Sequence, residues 1–94
     1  MYITGSSHID SQRRTKLTGL FKELPERVTL TLDLDDRSIV QVFPGEKYFG
    51  ESLKIDDKGR LIIPKWIFEF FPSTNKVLFL SDGKNHYLKF EQQK

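Results

Sequence analysis

Two stretches of this 94-residue chain repeat the same pattern at a spacing of 46 positions. Residues 8–14 and 54–60 both contain an Ile-Asp pair that is followed, after three residues, by Arg. Apolar positions continue to correspond beyond this pattern, and each half then enters two apolar stretches that are typical of β-strands. Since the order of the elements is shared as well as the motif, the sequence predicts two copies of one structural unit.

The repeat predicts one domain, 1–94, built from a first unit at about 1–44 and a second unit at about 48–94. A unit of about 40 residues buries too little apolar surface to be stable by itself. Two units packed together can each cover the apolar face of the other. The expected fold is therefore mainly β with short helices and an internal pseudo-twofold axis.

Proline and glycine divide the second unit into its predicted elements. Gly59 lies in a tight turn after the Ile-Asp pair, where glycine tolerates the positive φ that hairpins need. Pro64 ends a short aliphatic strand and suits the start of a helix, so residues 65–71 are expected to form one or two helical turns. The Asp-Gly pair at 82–83 separates two apolar runs and predicts a β-hairpin. In the first unit, residues 35–37 are expected to form the corresponding hairpin turn.

Composition narrows the classes of function. The chain has no cysteine, which excludes a disulfide framework and a thiolate metal site. His8 and His86 stand far apart, the glycines form no phosphate-binding loop, and no Ser lies in a nucleophile elbow. We therefore expect no enzyme activity, no metal and no cofactor. Neither a secretory signal nor a membrane-spanning apolar run is present, so the expected location is cytoplasmic and without a membrane partner.

Local charge favours nucleic acid more than the small net charge of +2 does. Residues 11–22 contain four Lys or Arg and no acidic residue, and residues 58–65 contain three and none. Such clusters can follow the phosphates of a duplex, and the planar guanidinium group of Arg suits phosphates and guanine edges. For Arg13, Lys16, Lys58 and Lys65, the alternative is a solvated rim of charges. Arg14 and Arg60 could instead pair structurally with the aspartate four positions earlier.

Residues 54–64 resemble the motif of the AbrB-type swapped-hairpin (SpoVT-AbrB) family. In that family an Asp is followed by an Arg that a Gly precedes, then by aliphatic residues and a Pro that opens a short helix. The residues at these places are Asp56, Gly59, Arg60 and Pro64. The tandem arrangement is similar to MraZ, which carries two such units in one chain. The first unit departs from the pattern, with Arg13 at the Gly position and Thr18 at the Pro position.

This resemblance implies a barrel-like core in which two units exchange hairpins. It also implies binding to duplex DNA through basic side chains on one face, usually in a homo-oligomer, and hence a transcriptional regulator that associates with the nucleoid. The predicted DNA contacts are Arg13, Arg14, Lys16, Lys58, Arg60 and Lys65. The predicted structural residues of the motif are Asp10, Asp56, Gly59 and Pro64.

A protein-binding module on the same fold, antitoxin-like or an assembly partner, is the alternative function. The helix expected near 66–71 is more apolar than one buried face requires, and it lacks the basic residues that contribute to DNA contact in AbrB. Core packing accounts for most of its aromatic residues. Trp66, Phe68 and Phe71 are the candidates for a subunit interface, where aromatic residues are enriched.

Overall fold

The described part of the chain is mainly β, with one short helix. A computed structural model describes residues 1–33, 35–36 and 38–92. In chain order the elements are β1 (Tyr2–His8), β2 (Arg14–Lys16), β3 (Arg27–Leu32), β4 (Ile39–Pro44), β5 (Glu51–Lys54), β6 (Arg60–Ile62), α1 (Lys65–Phe70), β7 (Thr74–Ser81) and β8 (His86–Gln92). Within these ranges, no helix has the length and apolarity needed to cross a membrane.

Six of the strands form one antiparallel sheet, and the other two pair with each other. The order in the large sheet is β1-β7-β8-β4-β3-β5, while β2 and β6 form a separate two-stranded sheet, named here the ribbon. The first strand of each half pairs with the third strand of the other half, β1 with β7 and β5 with β3. The pairing of β4 with β8 joins the halves at the centre of the sheet. The strand order is therefore unchanged when the two halves are exchanged.

The large sheet is open, so the expected barrel-like closure is wrong. Among the described strands, β1 and β5 lie at opposite edges of the sheet. The strands that could have continued it, β2 and β6, are three residues long and pair only with each other. Because β2 and β6 form a separate layer, they do not connect the two edge strands of the large sheet, and the sheet does not close.

The core lies between one face of the large sheet and the layer that contains the ribbon and α1. Side chains alternate along β7, where Val77, Phe79 and Ser81 are buried and the residues between them are only partly covered. Leu61 of the ribbon and Ile67 of α1 are fully buried in the same cluster as the sheet residues. The inner face of the ribbon is thus fixed to the core, and its outer face is turned to solvent.

The predicted helix is confirmed to within one residue. Helix α1 (Lys65–Phe70) follows Pro64, which has φ −62° and the extended ψ of an N-cap residue. The helix ends at Phe70. Phe71 is its C-cap residue and stands directly before Pro72, and a proline disfavours the helical conformation of the residue that precedes it. Only two prolines are therefore needed to set its limits.

The first half has a turn where the second half has the helix. Residues 18–20 form this turn, in which the Leu20 N–H donates to the Leu17 carbonyl at 2.9 Å. Gly19 stands in it, and glycine is a poor helix former. An added Cβ at Gly19 would lie 3.3 Å from the Phe79 ring, so this segment also needs a small residue to pack on the sheet.

The hairpin strands expected in each half are confirmed by their pairing. Strands β7 and β8 pair from Ser81 and His86 outward, and β3 pairs with β4 over five residue pairs. Gly83, in the predicted Asp-Gly turn, has φ +93°. Of the turn predicted at 35–37 in the first half, Arg37 lies outside the described residues.

Candidate nucleic-acid interface

The two turns that carry the repeated motif contain the same hydrogen bonds. Asp10 Oδ1 accepts the backbone N–H groups of Gln12 and Arg14 at 2.8 and 2.9 Å. The corresponding bonds to Asp56 Oδ1 measure 2.9 and 2.8 Å. The backbone N–H of each aspartate donates to the carbonyl of the arginine four residues later, at 3.0 Å in both turns. Each aspartate therefore closes a turn that positions the arginine at the start of the following strand.

Each of these arginines is also held by its aspartate through an ion pair. The Nε of Arg14 donates to Asp10 Oδ2 at 2.9 Å, and the Nε of Arg60 donates to Asp56 Oδ2 at 2.8 Å. The arginine side chains are 28% and 24% exposed, so most of each side chain is covered by the rest of the protein. In both turns the arginine lowers the pKa of the aspartate carboxyl group. The larger effect comes from the hydrogen bond of its backbone N–H, and the smaller one from the hydrogen bond of its side chain. The ionised aspartates orient the guanidinium groups through these hydrogen bonds.

The ribbon brings basic residues of both halves onto one face. Its register pairs Arg14 with Ile62, Thr15 with Leu61, and Lys16 with Arg60. Thr15 and Leu61 are buried, because alternate residues of a strand point to opposite faces. The other four residues therefore share the outer face. Arg14 and Arg60 are diagonal neighbours there, a relation that places Cα atoms about 7–8 Å apart.

The remaining predicted contacts lie at the two ends of the ribbon. The Ile63 N–H donates to the Arg13 carbonyl at 2.7 Å, so Arg13 lies at the end of the ribbon from which the chain continues to Lys65. At the opposite end, the Leu17 N–H donates to the Gly59 carbonyl at 2.9 Å, next to Lys58. Each end thus combines cations from both halves of the chain.

Positive charge is concentrated around the ribbon. Segments 10–16 and 56–65 carry six Lys or Arg and three Asp, whereas the rest of the chain carries nine Lys or Arg and ten Asp or Glu. The ribbon and its turns therefore have a formal charge of +3 and the remainder has −1, which together give the net charge of +2. A polyanion would be attracted to this side of the molecule.

Gly59 and Pro64 have distinct structural roles beside the ribbon. Gly59 has φ +77°, and an added Cβ would lie 3.0 Å from side-chain carbons of Leu24 and Thr18. The positive φ and the close neighbours together require a glycine at position 59. The Gly59 carbonyl also accepts the Leu17 N–H of the first half. Pro64 separates β6 from α1.

The three interface candidates of the helix region differ in burial. Phe71 is 6% exposed and stacks on Phe90, with ring centroids 5.3 Å apart, so it belongs to the core of this chain and cannot serve as a surface contact. Trp66 and Phe68 are half-buried against that core. Phe70, which was not among these three candidates, is 51% exposed and meets Trp66 edge to face. A subunit interface through Trp66 and Phe68 stays a prediction.

Among the exposed apolar residues that the sequence did not predict are Ile62 and the pair Tyr48 and Phe49. Ile62 is 57% exposed on the outer face of the ribbon. Tyr48 is 99% exposed, and Phe49 beside it packs edge to face on Phe43. Strand alternation could have indicated Ile62, because its neighbours Leu61 and Ile63 are required in the core. No comparable sequence pattern marks the aromatic residues of the β4–β5 connection.

Neither metal ligation nor similarity to known proteins adds to the assignment. Across the described ranges, no group of three or more His, Asp or Glu residues is placed to hold a metal ion. A comparison with protein-family models and with curated proteins finds no significant match to the sequence.

Proposed function

We propose that this protein is a DNA-binding transcriptional regulator of the AbrB/MraZ type, which binds duplex DNA through the outer face of the ribbon. The observation that carries the proposal is the pairing of β2 with β6. This pairing joins Arg14, Lys16 and Arg60 on one solvent-facing surface, although two of them are 46 residues apart in sequence. Protein cations on such a surface would replace the counterions of the DNA phosphates.

The dimensions of the ribbon suit the major groove. Its two strands lie about 4.8 Å apart, and three residues of a strand extend over about 10 Å. The major groove of B-DNA is about 12 Å wide and admits a two-stranded β-ribbon. Outer-face side chains would then be within reach of base edges and of the phosphates that border the groove, and Arg13, Lys58 and Lys65 at the ends would contact phosphates on either side.

The charge arrangement on the ribbon also favours an anionic partner. Lys16 stands directly opposite Arg60, and like charges in such a cross-strand pair destabilise each other. Asp56 holds the Nε of Arg60, but within the described residues no hydrogen bond reaches the terminal guanidinium nitrogens of Arg14 or Arg60. Phosphate or guanine acceptors would satisfy these donors and relieve the repulsion.

The exchange of first strands supports the swapped-hairpin architecture as part of the same proposal. β1 pairs with a strand of the second half and β5 with a strand of the first, and the motif turns follow directly after both. In this proposal one chain supplies both halves of the DNA-binding surface.

The proposal is tested by the fluorescence anisotropy of a labelled duplex titrated with the protein over a salt series. If all six predicted cations contact phosphate, the slope of the logarithm of the association constant against the logarithm of the salt concentration should be about −5. Affinity should then fall about a thousandfold from 50 to 200 mM salt. Lys16→Ala and Lys58→Ala should each reduce the slope by about one.

Lys84→Ala is the matched control, because Lys84 is an exposed lysine in the turn between β7 and β8, away from the ribbon. This variant should bind as the wild type does. Equal effects of Lys84→Ala and Lys16→Ala, or salt-insensitive binding, would show that the ribbon is not the DNA-binding surface.

Exposed aromatic residues favour a protein partner as the second candidate function. Tyr48 and Phe49 present apolar area beside Phe43 at the connection between β4 and β5. Aromatic residues are enriched at protein interfaces, where their burial contributes much of the binding energy. The test compares the mass in solution of the wild type with that of a Tyr48→Ser, Phe49→Ser double variant. A lower mass for the variant with unchanged DNA binding would assign these residues to self-association.

A further inference from the structure

Ile62 occupies an unusual position for an exposed aliphatic residue. It lies on the outer face of the ribbon, directly opposite Arg14 and two residues after Arg60. It is 57% exposed, whereas Leu61 and Ile63 on either side are fully buried. Single apolar residues are common on protein surfaces, but this one neighbours two arginines on the face that we propose contacts DNA.

Ile62 also breaks the correspondence between the two halves. A shift of 46 residues relates Arg14 to Arg60 and Lys16 to Ile62. One strand of the ribbon therefore presents Arg and Lys on the outer face, and the other presents Arg and Ile. The backbone of the two strands is paired symmetrically about Thr15 and Leu61. The asymmetry of the surface therefore lies in side-chain chemistry and does not come from the fold.

We infer that Ile62 is a base-reading residue that contacts the C5-methyl group of a thymine in the major groove, and that it makes the preferred DNA site asymmetric. This inference rests on the proposed function. The thymine methyl is the apolar group that the major groove offers, and it is contacted by apolar side chains. Lys16, at the corresponding place of the other strand, would contact phosphate or the acceptors of guanine. The two half-sites would therefore differ in sequence although the two strands of the ribbon have the same backbone.

The experiment is selection from a pool of random duplexes with the intact protein, as wild type and as Ile62→Lys. The substitution gives both strands the same outer residues, Arg and Lys. The wild type is expected to select two unlike half-sites, with thymine enriched in one of them. Ile62→Lys is expected to select an inverted repeat in which that thymine is no longer enriched.

A second measurement uses the selected wild-type site with deoxyuridine in place of the enriched thymine, which removes only the methyl group. Wild-type affinity should fall about three- to fivefold, the value of one buried methyl group. Ile62→Lys should bind the two duplexes equally, and circular dichroism should show that it is folded. Because this measurement uses wild-type protein, it is informative even if the variant is unstable.

The outcomes separate the inference from the proposed function. If the wild type binds no duplex in a salt-sensitive way, the proposed function fails. If it binds, but wild type and variant select the same sites or deoxyuridine has no effect on affinity, the base-reading role of Ile62 is overturned while DNA binding stands.

Discussion

The two motif turns have the same backbone conformation but differ in the residue at the position with positive φ. Arg13 and Gly59 occupy the same place in these turns and both have positive φ, +63° and +77°. Glycine adopts this region without steric cost, whereas a residue with a Cβ is strained there by about 1–2 kcal/mol. The Arg13 N–H donates to the Asp10 carbonyl at 3.0 Å, and the Arg13 carbonyl accepts from Ile63, so both backbone groups hold it in this conformation.

Arg13→Gly should therefore raise the free energy of unfolding by about 1 kcal/mol relative to Arg13→Ala. Both variants lose the same side chain, and only the glycine relieves the backbone strain. Urea denaturation of the two variants measures the difference. Equal stabilities would show that the turn does not strain the residue at position 13.

Gly59→Ala should destabilise the protein more than Gly45→Ala. Both glycines have positive φ, so both substitutions impose the backbone cost of about 1–2 kcal/mol. At Gly59 the new Cβ would also meet carbons of Leu24 and Thr18 at 3.0 Å, while at Gly45 it would meet nothing within 4 Å. The difference in denaturation midpoint between the two variants isolates the packing effect, and no difference would mean that Leu24 and Thr18 can move away freely.

At the scale of elements, aspartates fix the turns that connect strands. Asp10 and Asp56 close the turns before the ribbon, and Asp82 closes the turn between β7 and β8. In each case the carboxylate accepts backbone N–H groups within the next four residues. A turn of this kind requires little from the rest of the protein, which is why these turns could be placed from the sequence.

The turn at Asp82 should make stability depend on pH in the acid range. The backbone N–H groups of Asn85 and Lys84, together with the Tyr87 hydroxyl, lower the pKa of Asp82 from 3.8 to about 2. Because the folded-state pKa is the lower one, the carboxylate stabilises the fold above pH 3.8, and this contribution is lost as the pH falls towards 2.

Thermal denaturation of the wild type and Asp82→Asn between pH 5 and about 2 measures this contribution. At pH 5 the variant should have a lower melting temperature than the wild type. As the pH is lowered to about 2, the melting temperature of the variant should decrease less than that of the wild type. If the melting temperatures of the two proteins decrease by the same amount as the pH falls, the charge of Asp82 does not contribute to stability.

At the scale of the molecule, most strand pairs join the first half of the chain to the second. Among the described strands, the only pair within the first half is β3 with β4, and the only pair within the second half is β7 with β8. β1, β2, β5 and β6 have their described partners in the other half. An isolated two-stranded hairpin is marginally stable in water.

A fragment of residues 1–46 should therefore not fold as a monomer, and neither should residues 47–94. Mixing the two fragments should restore the β-sheet circular dichroism of the whole chain, because every interrupted strand pair can form again between them. A cooperative unfolding transition from either fragment at a concentration where it is monomeric would contradict this dependence.

The sequence by itself determined the features that depend on near neighbours. The two motif turns, the start of α1 after Pro64 and the Asp-Gly hairpin all arise from contacts within a few residues. Corresponding positions in the repeat also indicated which residues would lie in equivalent places. The helix did not recur in the first half, where Gly19 and Thr18 replace the residues that favour it.

Only the tertiary structure decided which strands meet and which side chains stay outside. The pairing of β2 with β6 brings Arg14 and Arg60 onto one face, and no residue pattern within either strand specifies that partner. The same pairing decides which face of β6 is turned to solvent, and it thereby exposes Ile62, the middle residue of a run of three aliphatic residues. Stacking on Phe90 takes Phe71 into the core. These features depend on contacts between distant parts of the chain, whose geometry is set when the two halves pack together.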